Sequence, residues 1–151
     1  MTLKFVVWNM EWMNDLFGAN DLPPAFRPDE ERPFHTSGAT VRERRDDLSS
    51  VINELDPDIL VAVEGPNRTG ELELFFDEDV EGDWVIQVQH SRGQSQNIGV
   101  AVRTDTDKFN DPPFKFFDTN NVEAFDPFVV DTDDDEINEN YKFERRPLYK
   151  R

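Results

Sequence analysis

The chain has 151 residues, enough for one domain with a buried core, and a formal net charge of −17 from 33 acidic and 16 basic side chains. It contains no cysteine, which excludes disulfides, thiolate metal ligands and a cysteine nucleophile. A chain this acidic repels a phosphate backbone, so a protein that simply coats nucleic acid is not expected. No apolar segment is as long as a signal-peptide core or a membrane span. We therefore expect a single domain over residues 1–151 in the cytoplasm.

The chain begins with a predicted strand and a long loop. Residues 3–8 are apolar at nearly every position and rich in β-branched and aromatic side chains, which predicts a buried strand. Residues 10–38 show no sustained period and contain several prolines and glycines, so they predict a loop with one helical turn near 13–17. A loop of that length in a compact domain is usually functional or disordered.

The next segment predicts an amphipathic helix. Thr40 and Glu43 have the capping-box pattern, in which the threonine oxygen accepts from a helical amide and the glutamate reaches back. One apolar stripe follows at three- and four-residue spacing, made of Val41, Arg45, Leu48, Val51, Ile52 and Leu55. Asp56-Pro57 ends the helix and turns the chain into a second strand. The order strand, loop, helix, strand predicts a crossover between parallel or near-neighbour strands.

The second predicted strand, residues 58–63, is Asp58 followed by a short apolar run that ends directly in one carboxylate, Glu64. Ligands collect at the carboxyl ends of strands in open α/β sheets, because loops diverge there and leave a crevice. Glu64 is therefore well placed to hold a metal ion. A carboxylate after an apolar run is common, however, and this stretch alone favours a strand end that points to water.

The second half of the chain is less regular. It predicts a helix at 71–76 and strands at 83–88, 98–102, 114–117 and 141–149, the last interrupted at Pro147. The polar loop between the first two of these strands indicates an antiparallel hairpin. Acidic residues cluster at 71–83 and 131–139, which is typical of solvated surface. Divalent-cation binding or adaptation of the whole surface to high salt are the alternatives.

Few residue types remain that could carry chemistry. The two histidines, His35 and His90, lie in polar, turn-like surroundings and are expected to be ordinary surface residues. The sequence contains no Gly-rich phosphate loop, no dinucleotide fingerprint and no serine elbow. Oxygen-donor metal chemistry remains, and carboxylate and amide oxygens suit Mg²⁺, which keeps several waters and needs only one or two protein carboxylates.

Five short segments carry a resemblance to a known family. They are residues 8–12 (Trp-Asn-Met-Glu-Trp), Arg44-Arg45, residues 56–64, residues 97–102 and residues 143–148. In this order and approximate spacing they resemble the endonuclease/exonuclease/phosphatase family. The resemblance implies a DNase I-like four-layer α/β/β/α sandwich and Mg²⁺- or Mn²⁺-dependent hydrolysis of a phosphoester substrate, either a nucleic acid or a small phosphoester.

The resemblance also implies roles for individual residues. Glu64 matches the family's metal-binding glutamate, and Asn9 matches the asparagine after the first strand that helps to position the metal or the scissile phosphate. Glu11 stands where some members place a second acidic residue near the metal, which is a weaker match. Four further matches are interpreted as core, packing or strand-end positions: Trp8, Trp12, Gly99 and Arg146.

The sequence departs from the family pattern in one respect. It contains neither the Gly-Asp-x-Asn segment that supplies the family's general base nor the terminal Ser-Asp-His segment. The resemblance therefore implies an N-terminal half that carries the metal-binding part of the site and has little activity alone. Exposed apolar faces and strand edges are then expected, with self-association or pairing with a C-terminal half.

Two alternatives to this interpretation stay open. The chain could be a non-enzymatic acidic module of the same fold, salt-adapted, that binds cations or a protein partner. It could also have a different α/β fold, in which Glu64 is buried against a structural arginine such as Arg45 or Arg146.

Overall fold

A computed structural model of the chain describes residues 2–19, 21–89, 97–109, 113, 128–130 and 139–141. Two compact units are distinguished, Met1–Pro113 and Phe114–Arg151. The first contains β1 (Phe5–Asn9), a 3₁₀ turn (Met13–Leu16), α1 (Val41–Leu55), β2 (Ile59–Gly65), α2 (Thr69–Asp79), β3 (Trp84–Gln89) and β4 (Asn97–Arg103). In the second, β5 (Phe128–Val130) pairs antiparallel with β6 (Glu139–Tyr141). The strand predicted at 114–117 and all but the start of the one predicted at 141–149 lie outside the described residues.

The first unit is built on a four-stranded mixed sheet with the strand order β1-β2-β4-β3. β1 and β2 are adjacent and parallel, whereas β4 runs antiparallel to both β2 and β3. The predicted crossover and the predicted hairpin are therefore both confirmed. The chain is a mixed α/β protein, as the sequence indicates.

Helix α1 begins at the predicted capping box. The Glu43 amide donates to Thr40 Oγ1 at 3.1 Å, and Glu43 Oε2 accepts from the Thr40 amide at 2.8 Å. The buried face of the helix consists of Val41, Arg45, Leu48, Ser49 and Ile52. Val51 and Leu55, which the spacing assigned to the apolar stripe, are 37% and 40% exposed. The stripe is narrower than predicted because Val51 lies on its flank and Leu55 is the last helical residue.

Helix α2 is longer than the predicted 71–76 and spans Thr69–Asp79. Its start is capped by Glu71, whose Oε2 accepts from the Arg68 amide at 2.9 Å. Leu72 packs so closely against the sheet that a Cβ on Gly99 would lie 2.5 Å from its Cδ2 atom. Gly99 is therefore a packing position, as predicted. No helix in the described part of the chain is long and apolar enough to cross a membrane.

The two faces of the sheet differ in burial. The inner face contributes Leu60, Ala62, Ile86, Val88 and Ala101 to the core, together with side chains of α1, α2 and the 3₁₀ turn. Trp8 is partly buried against this core, which agrees with its predicted packing position. On the outer face, Phe5 and Val7 are 58% and 59% exposed, and Val85 is 38% exposed.

Candidate active site

Because β1 and β2 are parallel, the predicted site residues Asn9 and Glu64 lie together at the carboxyl ends of these strands, which we call this edge of the sheet. Asn9, the last residue of β1, is opposite Val63 in the register with β2, and Glu64 is the next residue of β2. The Met10 amide continues the pairing by donating to the Val63 carbonyl at 2.7 Å. Because paired strands lie about 4.8 Å apart, the backbones at Asn9 and Glu64 are neighbours.

The backbone is strained at this edge. Glu64 has a φ of 57°, and Glu11 and Trp12, just after β1, have φ values of 49° and 59°. All three lie in the left-handed region, which costs a non-glycine residue about 1–3 kcal/mol. They make up three of the five non-glycine residues with positive φ in the described ranges. Such strain collects at functional sites, and here it coincides with a register shift in β2 between Ala62 and Gly65.

The turn after β1 is held by side chains at both ends. Asn9 Oδ1 accepts from the Glu11 amide at 2.9 Å. From α1, Arg44 donates to the Met10 carbonyl at 3.0 Å, and its guanidinium lies 3.6 Å from the Glu11 carboxylate. The Glu11 side chain is 63% exposed, so a cation there would compete with Arg44 and with water. Glu11 is therefore the weakest candidate among the three residues that the sequence predicts as metal ligands.

Two asparagines beside Glu64 were missed as site residues. Asn97, the first residue of β4, is opposite Gly65 and only 1% exposed. Its side-chain amide donates to Asn67 Oδ1 at 3.2 Å. A Cβ on Gly65 would lie 3.3 Å from the Asn97 carbonyl oxygen, so the glycine permits this close approach. The signal in the sequence was a polar residue directly before an apolar strand and a Gly-Pro-Asn turn directly after Glu64.

His35, expected to be an ordinary surface residue, has a side chain that is 35% exposed and makes specific contacts. Its Nδ1 lies 2.7 Å from Asp15 Oδ2, and the same oxygen accepts from the His35 amide at 3.3 Å. The imidazole stacks on Trp12 with a centroid distance of 3.9 Å and an interplanar angle of 10°. Trp12, interpreted as a core, packing or strand-end position, belongs to the strained turn, and its ring packs on this histidine. His90 lies outside the described residues.

Comparisons with protein-family models, curated protein sequences and solved structures give no match. The site is therefore judged on its own geometry.

The donor atoms at this edge suit a hard cation that keeps most of its water. The described ranges contain no group of three or more His, Cys, Asp or Glu side chains that could hold a metal. The oxygen donors at this end of the sheet are the Glu64 carboxylate and the side-chain oxygens of neighbouring asparagines. Mg²⁺ is commonly bound by one or two carboxylates with several waters, so this set fits Mg²⁺ or Mn²⁺.

Arg45, a suggested structural partner of Glu64, is occupied elsewhere. It is 5% exposed and bonds both carboxylate oxygens of Asp79, at 2.7 and 2.9 Å. It also contacts Glu78 at 2.7 Å and lies 3.5 Å above the Phe26 ring. Its carboxylate partners thus come from the end of α2 and, at 3.7 Å, from Asp29 in the long loop, and none of these lies at the carboxyl ends of β1 and β2. Arg146 lies outside the described residues.

Proposed function

We propose that this chain carries the metal-binding part of a Mg²⁺- or Mn²⁺-dependent phosphoesterase of the endonuclease/exonuclease/phosphatase type. The observation that supports this most directly is that Asn9 and Glu64 end adjacent parallel strands, with a strained backbone around both. The chain's strong negative charge favours a small phosphoester over a long nucleic acid as the substrate.

In this proposal each residue has a distinct task. Glu64 supplies the negative charge that holds the cation, and Asn9 supplies a neutral oxygen that positions the cation or the scissile phosphate. A bound divalent ion contributes charge neutralisation at the phosphate oxygens. Arg44 fixes the turn that carries Asn9 and Glu11, through its hydrogen bond to the Met10 carbonyl.

The proposed fold is the four-layer sandwich. It is supported by a sheet whose inner face is covered by α1 and α2 and whose outer face leaves Phe5 and Val7 largely exposed. A second sheet stacked on that face would complete the sandwich. We propose that the cover is either a C-terminal half or a second copy of this chain.

Mn²⁺ binding to Glu64→Gln tests the proposed function. The change keeps the side-chain shape and removes the charge, so we expect at least about tenfold weaker binding, equivalent to about 1.4 kcal/mol. Titration calorimetry measures the affinity directly. Glu73→Gln is the matched control, because Glu73 is exposed on α2 and its loss changes the net charge equally. Equal, small effects of both substitutions would contradict the proposal.

The second candidate function is the non-enzymatic acidic module. It is favoured by the net charge of −17 and by the absence of a three-acid group in the described ranges. In such a module, cations bind diffusely over the acidic surface, and Glu64→Gln and Glu73→Gln weaken binding by the same small amount. The calorimetric comparison therefore separates the two functions.

A further inference from the structure

We propose that His35, oriented by Asp15, is the general base that activates water in the phosphoester hydrolysis proposed above, on which this inference rests. In the proposed site Glu64 holds the cation and Asn9 is a neutral amide, so neither serves as the general base. The sequence has no Gly-Asp-x-Asn segment to supply one. A positioned base typically contributes about 10²- to 10⁴-fold to a rate, so the site needs one.

The hydrogen bond to Asp15 decides which imidazole nitrogen can act. An ionised carboxylate only accepts hydrogen bonds, so His35 Nδ1 must carry the proton in the 2.7 Å contact with Asp15 Oδ2. In the neutral ring, Nε2 then holds the lone pair. Nε2 has no hydrogen-bond partner among the residues that the structure describes. The side chain is 35% exposed, so water can reach it.

The ring is also held in orientation. The Asp15 carboxylate accepts from both the ring and the main chain of His35, which joins two parts of the loop 20 positions apart. Stacking on Trp12 at 3.9 Å fixes the plane of the imidazole. A base held by two hydrogen bonds and a stacked ring loses little freedom when it reacts, which is the preorganisation that catalysis requires.

The pair lies beside the carboxyl edge of β1 and β2. Trp12 is three residues after Asn9, and three residues span at most about 11 Å even when fully extended. Between them, Glu11 is bonded back to Asn9 Oδ1. The 3₁₀ turn that carries Asp15 packs against β2, the strand that carries Glu64 near its carboxyl end. The segment that carries Trp12 and Asp15 thus starts at the end of β1 and packs on β2, the two strands that carry the proposed metal ligands.

The proposed step balances without another reactant. Water forms the new O–P bond and gives one proton to Nε2, which leaves His35 as an imidazolium paired with Asp15. The ester P–O bond breaks, and its electron pair leaves with the alkoxide or phenoxide. The imidazolium then returns its proton to solvent.

The alternative is that the hydrogen bond between Asp15 and His35 only stabilises the conformation of the long loop. Arg27 does so elsewhere in that loop, by donating to the Phe17 carbonyl at 3.0 Å and to Glu31 at 2.7 Å. A stabilising role predicts similar losses from His35→Ala and Arg27→Gln. If His35 is the general base, only His35→Ala lowers the rate of the chemical step, and a soluble base restores part of that rate.

The test is hydrolysis of bis(4-nitrophenyl) phosphate with Mn²⁺ by the whole chain, since its leaving group needs no protonation. We expect His35→Ala to lower kcat by at least about 100-fold, with imidazole in the buffer restoring part of it. Asp15→Asn, which removes a positioning residue, should lower kcat with KM unchanged. Arg27→Gln should stay close to the wild type. His35→Gln replaces His35→Ala if the latter does not fold.

Each other outcome overturns the inference. Full activity of the His35 variants would do so, as would a loss without imidazole rescue that Arg27→Gln matches. Wild-type protein that binds Mn²⁺ through Glu64 but has no measurable turnover would overturn the base and leave the metal site intact. Failure of Glu64-dependent Mn²⁺ binding would instead overturn the proposed function itself.

Discussion

Asp58, just before β2, is a buried carboxylate with two cationic neighbours. It accepts from Lys108 Nζ at 2.6 Å and from the Lys4 amide at 2.7 Å. The hydrogen bond from Lys108 is the main reason that the pKa of Asp58 is lowered; burial opposes it, and the Lys4 amide adds to it. Because the folded pKa is depressed, the ionised carboxylate stabilises the fold at neutral pH.

Asp58→Asn should lower the free energy of unfolding by about 1–3 kcal/mol, the range for loss of a buried hydrogen-bond partner. The contribution of Asp58 is complete above the ordinary aspartate pKa, about 3.9, and is lost as pH falls through the lower folded value. The variant should therefore lose less stability than the wild type on acidification. Urea unfolding at pH 7 and pH 3 measures both effects. Asp47→Asn, at an exposed position of α1, is the control and should behave as wild type.

The sequence predicted that Asn9 and Glu64 lie at strand ends, but it did not predict the contact between Asp15 and His35 in the loop. Glu64 and Asn9 each follow an apolar run, so their place at the edge of the sheet is a consequence of strand direction. Asp15 and His35 are 20 positions apart in a segment without periodicity. Only tertiary structure brings such residues together, and no local pattern marks them.

Arg45 connects α1 to the end of α2. The side chains of Arg45 and Asp79 are 6% and 5% exposed, so the ion pair is almost fully removed from water. Burial alone would make each charge costly, and the pair is stable because the two carboxylate oxygens meet two guanidinium nitrogens.

Arg45→Met should destabilise the protein by about 3–5 kcal/mol, because it leaves Asp79 buried and unpaired. The double variant Arg45→Met with Asp79→Leu should regain most of this loss, since no uncompensated charge remains. Chemical unfolding of the single and double variants gives the coupling. Arg42→Met, at an exposed position one turn away, should change stability little. A double variant no more stable than the single one would show that packing, not charge, dominates.

Both ends of α1 were predicted correctly, from the capping box at its start and Asp56-Pro57 after its end, whereas α2 is longer at both ends than predicted. The start of α1 follows from Thr40 and Glu43, whose reciprocal hydrogen bonds are present. The sequence predicts a helix that ends at Phe76, within an acidic cluster that is typical of solvated surface. The helix continues to Asp79, where Arg45 neutralises the last carboxylates. That partner lies 34 positions earlier, beyond any local pattern.

The net charge and the exposed face of the sheet have opposite effects on self-association of the chain. A net charge of −17 keeps copies of the chain apart at low ionic strength, whereas Phe5 and Val7 present apolar surface. The screening length falls from about 10 Å at 0.1 M salt to about 3 Å at 1 M, and apolar contact survives this change. Self-association should therefore increase with salt.

Val7→Lys should prevent this association, whereas Val51→Lys should not. Both substitutions add one positive charge to an exposed valine, but only Val7 lies on the outer face of the sheet, while Val51 lies on α1. Light scattering of each variant at 0.05 M and 1 M potassium chloride measures the effect. A wild type that stays monomeric at high concentration in 1 M salt would contradict the proposal that a second copy covers the face.

The pattern of apolar residues predicted the fold class of the protein better than it predicted the contacts at the candidate site. Alternating and continuous apolar runs separated by one capped helix were enough to predict a mixed α/β sheet. The long aperiodic loop at 10–38 carries Glu11, Asp15 and His35, and its conformation depends on contacts with α1 and β2 that no periodicity encodes. The sequence therefore predicts the positions of the strand-end residues but not the contacts between the loop residues Asp15 and His35.

The most direct test of the central claim is an anomalous-scattering map of crystals soaked in Mn²⁺. We expect one strong manganese peak within about 2.2 Å of a Glu64 carboxylate oxygen, beside the end of β1, and its loss in Glu64→Gln. Weak peaks scattered over the acidic surface, or a single peak remote from Glu64, would contradict it.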